Sequence, residues 1–475
     1  MLLLVHYGRL KTGKGVEEYY IAGRNITGLV AALTYAATTY SVFMMVGLVG
    51  LTYAYGVGAL GFELTYLLAT VLLLTLFAPR FWVAGRKWKY VTPTQLLADR
   101  YQSRTVGIVT TVLCLVFLVP YMAIQGMGSA YLLEALSGGA VSYTVGLTFI
   151  VVVIAFCALW GGFRGVAWTD VVLGLVMLGS SLYLMFYLAS TYLGGWLGFV
   201  QTLETNHASF LSVPGPGFFT FPKFLELTVP WFFFALTNPQ VSQRLFVPKS
   251  VGSMKVMILG FFVFGFIYTV TTVTLGLMGR ALGILAYPAD KVMPIILGTF
   301  VPTPLALIIM LGILSAGVTT ANSIILTLGS MVGRDFYGSL AKKPSEKTEI
   351  RIGYLVIIVE AMLIWIFAFQ RLGLISLLAV MASGGLLVQL PTILGAFCWK
   401  KATAPAAYTS ILIGGVATGI FYIFKFSFLS LGPPILGLIL TTIVFILVSL
   451  LTKPPSNAEI FLEEIQKELK ERNFL

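Results

Sequence analysis

The chain alternates between long apolar runs and short basic loops, and this restricts its fold more than any local motif does. Apolar stretches cover 27–54, 58–79, 105–137, 142–160, 165–189, 224–240, 252–280, 302–333, 353–370, 373–397, 404–424 and 430–451. Each is close to or above the roughly 17–25 residues that cross a bilayer, with the sixth at the short end. Lipid cannot hydrogen-bond a backbone, so apolar spans of this length must be helices that bond internally. Charged residues make up only 10% of the chain, against about a quarter in soluble domains. The expected fold class is an all-α polytopic membrane protein with about twelve spans.

A net charge of +12 invites a nucleic-acid partner, but the distribution of that charge does not fit one. Alternate loops hold 25 of the 30 Lys and Arg residues, among them Arg9, Lys11, Arg24, Arg86, Arg164, Arg244, Arg334, Lys342, Lys343 and Lys400. The other side has Lys223, Arg280, Lys291, Arg371 and Lys425. The positive-inside rule then predicts a cell-membrane protein with both termini in the cytoplasm and the lipid bilayer as its surroundings. Residues 1–26 read as a cytosolic segment, 190–223 as an extracellular loop with Pro214 and Pro216, and 453–475 as a cytosolic tail. In the tail, Ser456 and Glu459 fit a capping box. Ile460, Phe461, Ile465 and Leu469 give a narrow apolar face for packing on the membrane or the bundle. The apolar start of the chain, residues 1–8, is too short to span and makes a poor signal peptide.

Several function classes are excluded. His6 and His207 lie outside the spans, which argues against a histidine proton relay or a zinc peptidase. Cys114, Cys157 and Cys398 fall in apolar spans or at their edge and read as packing residues. There is no phosphate-binding motif for ATP drive, no metal spacing and no nucleophile–base pair, so an enzyme is not expected.

Spans one to five (27–189) are followed by a long loop and five more (224–397), with two additional spans in 398–452. Five is odd, so the second set enters from the opposite side, which is the arithmetic of an inverted repeat. Both leading spans are interrupted. The first carries the polar patch Thr34 to Ser41. The sixth carries Asn238, Pro239 and Gln240, where the proline frees a carbonyl and the amides flank the break. Unwound backbone at membrane depth is tolerated where it lines a cavity or is buried in protein.

The eighth span holds a ladder of hydroxyls. At about 100° per residue, Ala316, Thr319, Thr320, Ser323, Thr327 and Ser330 share one face. Sodium, a hard cation, prefers oxygen ligands. The carbonyls of Ala37, Tyr40 and Ala316, with the hydroxyls of Thr319 and Thr320, form a candidate set. Asp170 lies slightly inside the fifth span and needs a partner, either an ion or a basic residue such as Arg164. Glu63, Glu134 and Glu226 read as interfacial, and Glu360 as a mid-span carboxylate without assignment. Tyr121 and Gln125, one turn apart, and Trp231, two turns before Pro239, can face a cavity.

The ordered set of motifs resembles the sodium:solute symporter family. Glu17-Glu18-Tyr19-Tyr20-Ile21-Ala22-Gly23-Arg24 is similar to the motif before its first core helix. Leu97-Ala98-Asp99-Arg100-Tyr101-Gln102-Ser103-Arg104 is similar to the loop before the third. Gly161 to Asp170, Asn238-Pro239-Gln240 with Arg244, and Thr319 to Ser323 followed by Arg334-Asp335-Phe336-Tyr337 match the fifth, sixth and eighth helices. The resemblance implies a LeuT-type five-plus-five inverted repeat with sodium-driven alternating access. By position, Ala37, Tyr40, Ala316, Thr319 and Thr320 match the sodium site shared across that fold. Asp170, Thr319, Asn322 and Ser323 match a second sodium site of some members. Tyr121 and Trp231 match solute-cavity positions, and Gln125 a third-helix glutamine of the pantothenate branch. Thr39 stands where the proline symporters have an aspartate, and residues 1–8 are too short for the extra leading helix of most members.

The expected function is a sodium-coupled symporter importing a small organic solute: pantothenate, a monocarboxylate or an amino acid. The alternatives are proton coupling through Asp170 or Glu360, or a transporter-like sensor or channel.

Overall fold

A computed structural model describes residues 13–341, 345–371, 373–472 and 474; His6, Arg9, Lys11, Lys342 and Lys343 lie outside these. Among the described residues the regular structure is helical, apart from two isolated bridges, Ile26 with Pro248 and Phe428 with Leu431. A short α1 (Val16–Ile21) precedes α2 (Gly28–Thr39) and α3 (Phe43–Tyr55), which bend by 51° at their junction. Then follow α4 (Gly58–Trp88), α5 (Pro93–Arg100), α6 (Arg104–Leu136), α7 (Tyr143–Tyr192) and α8 (Gly195–Asn206). Three short pieces come next: α9 (Phe221–Phe232), α10 (Phe234–Thr237) and α11 (Pro239–Ser242). The remainder is α12 (Val251–Ala281), α13 (Val292–Thr299), α14 (Thr303–Ser330), α15 (Glu346–Phe369), α16 (Ile375–Cys398), α17 (Ala404–Ile423), α18 (Pro433–Leu451) and α19 (Ala458–Glu471).

Nine of the described helices are long and apolar enough to cross a membrane, ten when α2 and α3 count as one bent span. The expected twelve differs for two physical reasons. The 50 residues of α7 bend back at Gly162, whose φ of 55° and ψ of −170° suit only glycine. A β-carbon there would also come within 3.0 Å of Tyr19. One end of α7 is tied by the Tyr143 hydroxyl to the Ala368 carbonyl at 2.8 Å, and the other packs Tyr192 on Phe300. The elbow's Arg164 instead binds Glu18, so α7 passes twice. The sixth expected span, α9 to α11, is cut into pieces too short to count alone.

The core lies between α2, α6, α7, α12 and α14. Lipid gives helices no hydrophobic drive to associate, so close approach depends on small residues and side-chain bonds. Gly317 on α14 is such a contact: a β-carbon would sit 2.7 Å from Val42 and 3.1 Å from Ser129. The outward faces are apolar, as at Leu68 and Leu72 on α4 and at Leu412 and Val416 on α17. These are the surfaces that acyl chains would cover.

Other expectations change. Segment 190–223 contains the helix α8. The tail is helical, but its capping box does not form: Ser456 donates to Gln102 and Glu459 pairs with Lys400. Phe461, Ile465 and Leu469 are buried, whereas Ile460 is exposed. Cys114 and Cys157 are buried, and Cys398 is exposed. Glu63 is only 1% exposed rather than interfacial. Glu226 pairs with Lys223, and Glu134 accepts from the Tyr143 backbone. Glu360 is buried, with one oxygen unpartnered among the described residues.

Candidate ion and solute site

Helix α2 ends at Thr39 because Tyr40 turns extended, with φ −93° and ψ 108°. Among the described residues the Ala37 carbonyl thereby lacks a backbone partner. Two hydroxyls from α14 reach it instead, Thr320 Oγ1 at 3.1 Å and Thr319 Oγ1 at 3.3 Å. Thr319 also donates to the Ala316 carbonyl at 3.1 Å, and Thr320 lies 3.4 Å from the Thr38 carbonyl. Ala37, Ala316, Thr319 and Thr320 therefore converge across 280 residues of sequence, and Thr38 joins them. These oxygens are the donor set that a hard cation needs, and threonine hydroxyls can turn from donating to accepting. Tyr40 sits at the break itself, and its ring stacks on Phe261 at 5.6 Å.

The amide of Gln125 holds the other side of the same break. Its Oε1 accepts from the Val42 backbone at 3.2 Å, and its Nε2 donates to the Tyr121 carbonyl at 3.1 Å. An interrupted helix exposes backbone donors, and a buried amide can satisfy them. In the sixth segment Asn238 is the extended residue, with φ −96° and ψ 110°, and Pro239 opens α11. The Asn238 carbonyl accepts from Val241 and Ser242, while both side-chain polar atoms of Gln240 are buried and unpartnered among the described residues. Gln389 on α16, absent from the sequence expectation, donates to the Thr237 carbonyl at 2.6 Å. A lone glutamine in an apolar run was the available signal.

Asp170 does not meet Arg164. It is fully buried; its Oδ2 accepts from Thr34 at 2.5 Å and lies 3.5 Å from the Arg244 guanidinium. Arg244 also donates to Ser323 at 2.6 Å, to the Gln240 carbonyl at 2.8 Å and to Thr34 at 3.3 Å. Ser323 in turn lies 3.0 Å from the Thr38 hydroxyl. A fixed cation thus stands where Asp170 and Ser323 meet. Among the described residues Asn322 Oδ1 is buried with no hydrogen-bond partner. Lower on α14, Gln243 links Thr327, Ser330 and the Val91 carbonyl. These hydrogen bonds account for the rest of the hydroxyl ladder.

Trp231 is buried in an aromatic group. Phe43 and Phe234 stack on it at 5.3 and 5.0 Å, Tyr66 meets it edge-on at 5.3 Å, and Tyr121 lies at 6.2 Å. Tyr121, Gln125 and Trp231 therefore converge beside the two breaks. No group of three or more His, Cys, Asp or Glu that could hold a metal ion occurs among the described residues.

The chain is 27% identical over 458 residues to the sodium/pantothenate symporter of Escherichia coli (strain K12), covering 92% of this chain and 90% of that one. It is 25% identical over 484 residues to the osmoregulated proline transporter OpuE of Bacillus subtilis (strain 168), covering 99% and 96%. A solved Na+-coupled sialic acid symporter, in a substrate-bound outward-open state, superposes with a TM-score of 0.80 at 18% identity, over 95% of this chain and 96% of that one. The likeness establishes the LeuT-type helical fold, in a multi-pass membrane protein. Residues 19–414 match the profile of the sodium:solute symporter family, and the chain belongs to that family.

Proposed function

We propose that this chain is a secondary active symporter that couples sodium entry to import of a small organic solute by alternating access. Sodium acts here as cargo and coupling ion. The observation that carries the reading is the Ala37 carbonyl, freed by the α2 break and met by two threonine hydroxyls of α14. With Ala316 and the Tyr40 backbone, these oxygens would hold the ion. The ion would then join α2 and α14, so its arrival and departure would bias how those helices sit. Sodium and solute must raise each other's affinity by the same factor.

For Asp170, the nearby Arg244 supplies the positive charge that a second sodium would bring. The single-ion reading is therefore preferred, with Ser323 as part of the ion-pair cluster and Asn322 outside it. The solute would lie among Tyr121, Gln125, Trp231, Asn238, Pro239 and Gln240. Pantothenate, a monocarboxylate or an amino acid are candidates, in keeping with the names of the relatives. By the positive-inside rule both termini would face the cytoplasm of a cell-membrane protein. Residues 27–189 and 224–397 form the two repeats, and 398–452 the two added spans.

Solute uptake into proteoliposomes under separate sodium, potassium and pH gradients tests the mechanism. Uptake should follow the sodium gradient, and Thr319→Ala/Thr320→Ala should abolish that dependence. Uptake that follows pH alone and is indifferent to this double substitution would refute it.

A further inference from the structure

The tail helix α19 lies across a seam between distant parts of the chain, on the side that carries the basic loops. Its Phe461 ring is 2% exposed and touches three separate elements. It stacks on Trp88 at the end of α4 at 4.7 Å and meets Phe397 near the end of α16 at 6.3 Å. The Arg100 guanidinium, at the end of α5, lies 5.8 Å from the same ring. Polar contacts extend the attachment. Lys87 on α4 pairs with Glu464 and, at 3.7 Å, with Glu468. Asn457, just before α19, donates to the Asp99 carbonyl of α5 at 3.1 Å. Glu459 pairs with Lys400, just beyond α16, at 3.0 Å.

Beneath the tail, the α5 end and α16 are bound directly. Arg100 donates to the Ala396 and Trp399 carbonyls at 3.0 and 3.2 Å, and Tyr101 to the Thr392 carbonyl at 2.7 Å. Behind this seam is a small void. It is lined by Thr94 and Leu97 of α5, by Gln389 and Ile393 of α16, and by Thr237 and Pro239 at the sixth-span break. The void therefore lies between the break and the seam, and parting α5 from α16 would open the break toward the basic side. The first repeat contains α4 and α5, and the second contains α16. Alternating access moves one repeat against the other, and Phe461 bridges that division.

We propose that α19 is a built-in clasp that holds the α5–α16 seam shut and slows opening of the site toward the cytoplasm. This rests on the symport reading above and adds control by the tail. The tail's ion pairs are partly exposed and individually weak, so the buried Phe461 ring carries most of the hold.

Labelling by a membrane-impermeant maleimide in inside-out vesicles tests this. The reporter is Ile393→Cys, which lines the void, in a full-length chain with the exposed Cys398 removed by Cys398→Ser. Phe461→Ala should speed labelling at 393 by about tenfold or more, while the buried Cys157 of α7 keeps its parent rate. Lys87→Glu should speed labelling severalfold, and adding Glu464→Lys should return it toward the parent rate. Unchanged labelling in a folded Phe461→Ala, or an equal rise at Cys157, would overturn the clasp. Should Phe461→Ala fail to fold, the charge exchange decides: no rise, or a rise that Glu464→Lys leaves in place, would overturn it. Labelling is read in potassium chloride without solute, whereas the symport reading depends on sodium-driven uptake, so either can fail alone.

Discussion

Breaking the ion pair between Asp170 and Arg244 should destabilise the bundle far more than removing both charges together. The side chains are 0% and 1% exposed and their charged atoms 3.5 Å apart. Removing one partner of such a pair costs about 3–5 kcal/mol, because the remaining charge is stranded in a poor dielectric. The two single substitutions should differ. Asp170→Asn leaves Arg244 with three other acceptors, Ser323, the Gln240 carbonyl and Thr34, which places it near 3 kcal/mol, at the low end of that range. Arg244→Met leaves Asp170 with Thr34 as its sole hydrogen-bond partner among the described residues, which places it near 5 kcal/mol. The double variant should return to within about 2 kcal/mol of the parent, since neither charge is left unpaired. Half-lives for thermal unfolding in detergent, followed by intrinsic fluorescence, give the cycle. Expressed wholly in the unfolding rate, losses of about 3–5 kcal/mol shorten them by about a hundredfold to a few thousandfold. The series should run equally in sodium and in potassium chloride, because Arg244 and not a bound ion balances Asp170. Single variants as stable as the parent, or additive effects in the double, would refute the buried-pair assignment. A loss that appears in sodium alone would return Asp170 to the list of ion ligands.

Other consequences can be measured directly. Asp290, outside the spanning helices and 1% exposed, accepts from the Ile375 backbone at 2.9 Å. Burial nevertheless pushes its carboxyl from 3.8 to about 7. A raised carboxyl favours folding fully below the unfolded value and loses that contribution as pH rises through about 7. Stability should decline across that window by an amount on the order of 4 kcal/mol, and Asp290→Asn, which keeps an acceptor, should flatten the decline in pH-dependent melts. Phe461→Ala removes the stack on Trp88 at 4.7 Å and the cover over Arg100. It should cost about 3 kcal/mol and expose the tail to limited proteolysis, and a tail as resistant as before would count against the packing. Gly162→Ala meets both a left-handed backbone and Tyr19. It should cost at least about 1–3 kcal/mol and lower the yield of folded protein, read by size-exclusion chromatography.

Hydropathy and charge made the class of fold legible because lipid leaves the backbone few choices. The two breaks were also readable. A polar patch at Thr34 to Ser41 and a proline flanked by amides are costly inside a span unless they serve one. The shared face of Ala316, Thr319 and Thr320 follows from helical period alone. The partner of Asp170 was not readable, since Arg164 is six residues away in sequence and Arg244 is 74. The burial of Glu63 was hidden too. Near the end of a span, a carboxylate facing water and one turned into the bundle look alike in one dimension.

The sequence by itself thus determined the membrane-spanning helices, the pair of interruptions and the hydroxyl face of α14, each a consequence of local backbone satisfaction and periodicity. The tertiary structure alone decided which groups face one another across those breaks. Thr319 and Thr320 reach the Ala37 carbonyl, Gln125 holds the backbone beyond the break, Arg244 counters Asp170, and Glu63 is buried. Such pairings depend on how helices far apart in sequence approach and turn, and the small contact at Gly317 helps set how closely α14 can press against the α2 break.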